Sequence, residues 1–167
     1  DKRVFKLGGT KVDVINLGRA HTGGDLVAYL PQSKVMFMSE VYLRGVFPAM
    51  RTAYPSEWAQ TIKKAQGMDV SLYIPGHGFL DDAAMMKKDL DEARKAIEYI
   101  NAEVKKVHDQ GVPCGGKGVP EGSGPVSCPD ASAKVNWGPY ANWALAASQQ
   151  PLAAGKVYQE LEKKLRP

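Results

Sequence analysis

The sequence predicts a layered α/β fold of about five strands and four helices. Two patterns carry that expectation. Short runs of β-branched and apolar residues, separated by glycine and proline turns, fill the early part of the chain and alternate with helix-like spacing. Later the apolar residues settle into a helical period, and the chain ends all-helical.

Taken in order, Val4 to Leu7 and Lys11 to Leu17 read as strands joined by a turn at Gly8-Gly9. Asp25 to Leu30 and Lys34 to Met38 read as a hairpin of two buried strands around Pro31-Gln32-Ser33. Val41 to Tyr54 carries Gly45 and Pro48, with Pro55 following, and is expected to be an irregular loop. Ser56 is placed to cap a helix from Glu57 to Gln66, with Gly67 ending it. Val70 to Ile74 is a fifth short strand. A long helix follows from Asp82 to Asp109, with Met86, Leu90, Ala93, Ile97, Ile100, Val104 and Val107 along one face and Gly111 and Pro113 as its stop. Trp137 to Ser148 and Leu152 to Leu165 are expected as two further helices separated by Pro151.

A chain of 167 residues suits one domain with a sizeable core. No apolar stretch approaches the ~20 residues a membrane helix needs, so no membrane is expected as a partner. The net charge of +4 arises from lysines interleaved with acids at helical spacing, which reads as solvated helix faces. No basic stripe with interleaved aromatics is present, so no nucleic acid is expected either. Asp1-Lys2-Arg3-Val4 contains neither a methionine nor a signal-peptide hydrophobic region, the pattern of a processed, truncated or fragment product.

The two cysteines, Cys114 and Cys128, bracket a Gly/Pro/Ser-rich segment within residues 111–130 that has little core-forming material. A disulfide is the expected way to hold it, which implies an oxidising compartment, periplasmic or secreted. Two free thiols on a cytosolic loop are the alternative. A zinc site there lacks a nearby histidine or second cysteine pair.

Only three histidines occur, and two sit on glycine-bordered turns directly after strand-like runs. They are His21, in Gly18-Arg19-Ala20-His21-Thr22-Gly23-Gly24-Asp25, and His77, in Pro75-Gly76-His77-Gly78. An imidazole on a bend at a strand end is a common way to aim a metal ligand. The third, His108, lies at the polar end of the long helix, where the helix dipole accounts for it. Trp58 and Ile62 read as core residues of their helix.

The order of these motifs, with Tyr29-Leu30-Pro31, Val35-Met36-Phe37, an acidic residue and Trp58 between them, resembles the C-terminal half of the metallo-β-lactamase superfamily. The resemblance covers roughly Val12 to Asp82. It implies half of an αβ/βα sandwich, with 1–167 as the C-terminal half of such a domain. It also implies that a His-x-His-x-Asp-His motif from the first half completes a two-zinc site. His21 would then serve one zinc and His77 the other. Glu40 stands where the family has an aspartate or cysteine; it is either a direct ligand or a residue that has lost that role, since its extra methylene moves the carboxylate. Asp25 is expected to accept hydrogen bonds that fix a loop or a ligand imidazole. Arg44 and Arg51, with Tyr42 and Phe47, fall on a loop that borders the family's substrate pocket, where an arginine either pairs with a substrate carboxylate or stands in solvent.

The implied chemistry is hydrolysis of an ester, thioester, lactone or lactam by metal-bound hydroxide. With about three protein ligands needed per zinc, His21, Glu40 and His77 cannot complete a dinuclear centre. The chain alone is therefore expected to be inactive, with the other half or a second copy of itself as partner and a small molecule as the parent's substrate. The alternative is a non-catalytic module that self-associates or binds metal through a decayed site.

Overall fold

The computed structural model describes residues 1–116 and 118–166. Five strands form one sheet in sequence order: β1 (Lys2–Leu7), β2 (Thr10–Ile15), β3 (Val27–Leu30), β4 (Val35–Phe37) and β5 (Leu72–Ile74). The first four are antiparallel neighbours. β5 joins β4 in parallel after a crossover through α1 (Pro55–Gln66). β2 to β5 are shorter than the sequence suggests, whereas β1 starts two residues earlier, at Lys2. Asp25 is not in a strand, because its carboxylate is turned back onto the preceding loop.

The register separates two faces. Asp13, Tyr29, Met36 and Tyr73 stand opposite one another, and with Val27 they lie on the face whose apolar members join the helices in the core. Arg3, Val14, Ala28, Phe37 and Ile74 form a parallel row on the other face, flanked by Phe5, Val12, Leu30 and Val35. That second face is almost wholly apolar, yet Phe5 and Phe37 are 47% and 46% exposed. The hairpin β3–β4 thus forms as expected but is buried on one face only, a correction to the fully buried hairpin. The physical reason is that the described helices cover only the opposite side.

α1 and α2 (Ala83–Asp109) pack on that covered side. Trp58 of α1 is fully buried and donates its indole N–H to the Val41 carbonyl at 2.9 Å, tying the helix to the segment after β4. α2 matches its expected span. Asp82 caps it by accepting the Met85 N–H at 2.9 Å, and its buried stripe carries all seven expected apolar residues. α1 differs at its start. Pro55 occupies the first turn, where its lack of an N–H costs nothing. Ser56 is no cap: its N–H and hydroxyl both donate to Glu160, at 3.1 and 2.8 Å.

The C-terminal third departs furthest from expectation. Of the expected helix from Trp137 to Ser148, only Ala146 to Ser148 is helical, as the start of the next helix. Gly138 to Tyr140 makes a single 3-10 turn, and Leu145 adopts φ 66°. Ala144 is instead held in extended backbone, accepting the Phe47 N–H at 2.9 Å. α4 (Ala146–Leu161) then runs straight through Pro151. Proline there forfeits one helical hydrogen bond, while its carbonyl accepts the Cys128 N–H at 2.9 Å. A short α3 (Pro129–Ser132) precedes these elements.

Cys114 and Cys128 are joined as a disulfide. The loop it closes is seated on α4 so tightly that a Cβ on Gly155 would lie 2.1 Å from the Val126 carbonyl oxygen. Lys156, fully buried, donates to the carbonyls of Ser123 and Gly124 and to Gln159 Oε1, at 3.2, 3.3 and 2.7 Å. Gln159 in turn donates to the Pro120 carbonyl at 2.9 Å. No described helix is long and apolar enough to cross a membrane.

Candidate functional site

The turn carrying His77 is built against the segment that carries Glu40. Met38 N–H donates to the Ile74 carbonyl at 2.8 Å, Gly76 N–H to Tyr42 at 2.9 Å, and Arg44 N–H to His77 at 3.0 Å. Such a lock-step path demands glycine: a Cβ on Gly76 would stand 2.4 Å from the Ser39 carbonyl oxygen, and one on Gly78 would stand 2.7 Å from that of Arg44. Gly78 also takes φ 107°, a conformation that L side chains rarely adopt. Ser39 itself sits at φ 50°, opening a tight 3-10 turn over Ser39–Val41. Glu40 and His77 are thereby brought side by side, Oε1 to Nε2 at 2.8 Å, with His77 63% exposed.

His21 is held differently. Gly18, at φ 141°, lets the chain pass over α1 where a Cβ would meet Thr61 Oγ1 at 2.6 Å. Thr61 donates to the Arg19 carbonyl at 2.8 Å, Tyr54 N–H to Ala20 at 2.9 Å, and Thr52 to the His21 carbonyl at 3.2 Å. The imidazole rests edge-on against Trp58, centroids 5.9 Å apart. Its Nδ1 is buried and has no hydrogen-bond partner. Buried polar atoms normally have one, so this nitrogen is a position open to a hydrogen-bond partner or, through its lone pair, to a metal.

Asp25 fastens the loop and not an imidazole. Its Oδ2 accepts the Thr22 N–H at 2.7 Å and its Oδ1 the Thr22 hydroxyl at 3.1 Å, while Gly24 N–H reaches the same hydroxyl. The His21–Asp25 turn is thus closed by its own last residue.

Arg44 is neither a solvated arginine nor a free anion clamp. Its Nε donates to Asp89 at 2.7 Å, Nη1 to the Phe79 carbonyl at 2.6 Å and Nη2 to Asp81 at 3.1 Å. The guanidinium pins the 79–81 turn to α2, and its hydrogen bond to Asp89 followed by that to Asp81 raises its pKa further. Arg51 is exposed.

The fit to zinc is partial. Among the described residues, no three His, Cys, Asp or Glu side chains converge as a metal site requires. Glu40 and His77 form one donor pair, and His21 supplies one unpaired nitrogen. These residues alone do not fit a dinuclear centre, and no catalytic step is derived through one. The sequence reading passed over a group on the far side of the His77 turn, namely Tyr140, Trp143 and Glu92. Tyr140 donates to Glu92 at 3.0 Å and lies edge-on to Trp143 at 4.9 Å. The aromatic spacing in 137–143 could have revealed it, had that stretch not been read as a helix.

No family model matches the chain. A curated relative, the metallo-β-lactamase type 2 of Bacillus sp. (strain 170), is 27% identical over 93 residues, which cover 52% of this chain and 36% of that protein. Among solved structures, a metallo-β-lactamase from Pontibacter korlensis is 23% identical with TM-score 0.49, covering 57% of this chain and 46% of its own. The DIM-1 metallo-β-lactamase is 26% identical with TM-score 0.44, covering 56% and 46%. A double mutant of the sec-alkyl sulfatase PisA1 superposes on 96% of this chain and 25% of its own, at 14% identity and TM-score 0.65. The chain spans about a third of the curated relative's length, 36%, so the matched portion is a part of that protein. The sheet and helix arrangement is shared at length with the last structure, and the aligned segment with the lactamase. The chain thus has, over nearly its whole length, the mixed α/β fold of part of the sulfatase structure, and about half of it is similar in sequence to a metallo-β-lactamase.

Proposed function

We propose that this chain is the C-terminal portion of a zinc-dependent hydrolase whose parent cleaves an ester, thioester, lactone or lactam. The observation that carries the reading is the Glu40–His77 pair, 2.8 Å apart on two segments locked by backbone hydrogen bonds and glycine contacts. Precise placement of exposed donors at a sheet end serves no packing purpose, and it suits a ligand pair. The curated relative, a metallo-β-lactamase, supports the hydrolase class. Zinc, when bound in such sites, activates water and polarises the scissile group. This chain's part is to present His21, Glu40 and His77, while Asp25 holds the first turn closed.

The same proposal assigns the uncovered sheet face to the rest of the parent domain. The row of Val14, Ala28, Phe37 and Ile74, with Phe5 beside it, is apolar and partly exposed, and such a patch suits a covering partner. A second copy covering that face is the alternative occupant, and it belongs with a non-catalytic reading of the chain. The disulfide supports an extracytoplasmic, oxidising setting.

Metal analysis of the purified chain, with nitrocefin and thioester assays, tests the reading. Weak zinc uptake that falls in His77→Ala, and no turnover until the complementary half is added, are expected. Zinc uptake indifferent to His21, Glu40 and His77 would overturn it.

A further inference from the structure

We propose that the cavity next to the His77 turn binds an organic cation, an ammonium group carried on an aryl or alkyl body. The cavity has a volume of about 600 Å³, within the range of small-molecule sites. It lies between the Arg44–Val46 segment, the Gly78–Phe79 turn, α2 and the Trp143–Ala144 turn. None of His21, Glu40 and His77 lines it, so occupancy can be measured without metal or turnover. This inference therefore goes beyond the hydrolase reading.

Two features set the ligand's chemistry. The walls are apolar and aromatic: Val46, Trp143 and Phe79, the last 90% exposed at the rim. The charge is acidic. Arg44, the one cation in the lining, already has its guanidinium engaged by Asp89, Asp81 and the Phe79 carbonyl. Asp89 and Glu92 are the carboxylates of the lining, and Glu92, which makes no contact with Arg44, is the one left to meet a ligand. With two carboxylates against one guanidinium, the lining is net acidic, so an anionic ligand is disfavoured and a cation attracted. A cation at an aromatic face gains further from the ring quadrupole.

Tyr140 makes the two halves of the site one unit. Its hydroxyl donates to Glu92 Oε1 at 3.0 Å, and its ring holds Trp143 edge-on, at 82°. Tyr99 packs edge-on against its other side at 5.4 Å. Burial, and then the hydrogen bond to Glu92, push the Tyr140 hydroxyl up to about 12, so it stays a donor at neutral pH. Glu92 keeps acceptor capacity for a ligand, since a carboxylate offers about four lone-pair positions and Tyr140 takes one. Tyr140 is thus a positioning residue for both the carboxylate and the aromatic wall.

The experiment titrates the full chain, without added metal, with phenethylammonium, 2-phenylethanol and 3-phenylpropionate. Binding is followed calorimetrically and by tryptophan fluorescence, where Trp143 is the half-exposed reporter beside buried Trp58 and Trp137. Phenethylammonium should bind at least about tenfold more tightly than either analogue, and added salt should narrow the gap. Glu92→Gln should lower the ammonium's affinity about tenfold, leaving that of the alcohol and the unfolding temperature unchanged. Tyr140→Phe, which keeps the ring stack, should show a smaller loss of the same kind. Equal binding of all three compounds, or ammonium affinity unmoved in Glu92→Gln, would overturn the proposal. Either result leaves the zinc-hydrolase reading to be judged by metal uptake at His77.

Discussion

Gly76 and the Ser39 carbonyl occupy the same space that any side chain at position 76 would need: a Cβ there would stand 2.4 Å from that oxygen. The glycine is a condition for bringing the His77 turn against Glu40, since both residues sit one step away from this contact.

Gly76→Ala should therefore separate the two segments. Overpacking of this kind costs roughly 1–3 kcal/mol. Chemical denaturation should read that loss, and NMR contacts between the two side chains should find His77 separated from Glu40. An alanine variant with wild-type stability and an intact pair would show that the backbone accommodates the methyl group.

Lys156 makes stability depend on pH in the alkaline range. Burial lowers its pKa from 10.5 to about 8, against a smaller opposing effect of Glu160. A lysine with a depressed folded-state pKa penalises the fold while it is protonated, and the penalty is fully present below pH 8. Between about 8 and 10.5 the unfolded chain binds more protons than the folded one, so stability should rise with pH across that window. The gain is at most about 3 kcal/mol, because the acceptor oxygens of Ser123, Gly124 and Gln159 favour the ammonium. Denaturant midpoints for the native chain and for Lys156→Met check this, and only the native chain should show the rise.

Reduction of Cys114–Cys128 should lower stability by up to about 3 kcal/mol, as expected for a loop of this length. The loop should nevertheless stay on α4. Gly122 pairs through its backbone with Lys164 and Arg166, and Lys156 and Gln159 hold the neighbouring carbonyls. Thermal melts with and without reductant, alongside hydrogen exchange at residues 120–126, measure both effects. Collapse of protection across the whole loop would show that the disulfide alone seats it.

The apolar sheet face should drive association when the chain is studied by itself. Phe37→Lys places a charge in the middle of the row, on a residue already 46% exposed, so the fold itself should tolerate it. Light scattering should find association of the native chain and its loss in the variant. A native chain that stays monomeric at high concentration would remove the case for a covering partner.

Much of this architecture is legible in local pattern. The α2 stripe from Met86 to Val107 and its Asp82 cap follow from helical period and capping chemistry, and β1–β2 follow from the Gly8-Gly9 turn. Glycine placement also marked the two histidine turns. Local pattern failed at 137–145, where helical propensity lost to a long-range pairing of Ala144 with Val46, and at Pro151, which α4 passes through at the loss of one backbone hydrogen bond. Ser56 looked like a cap and was taken by Glu160, more than a hundred positions away in sequence.

The sequence by itself determined that His21 and His77 stand on tight turns after strands, and that Cys114 and Cys128 could close a poor core-former. Both rest on residue types and short spacings, which local backbone sterics enforce. Only the tertiary structure decided that Glu40 meets His77, that Asp25 serves its own loop, and that Arg44 is committed to Asp89 and Asp81. Those outcomes depend on which segments the sheet and helices bring together, and in a folded chain proximity is a property of packing rather than of neighbours in sequence.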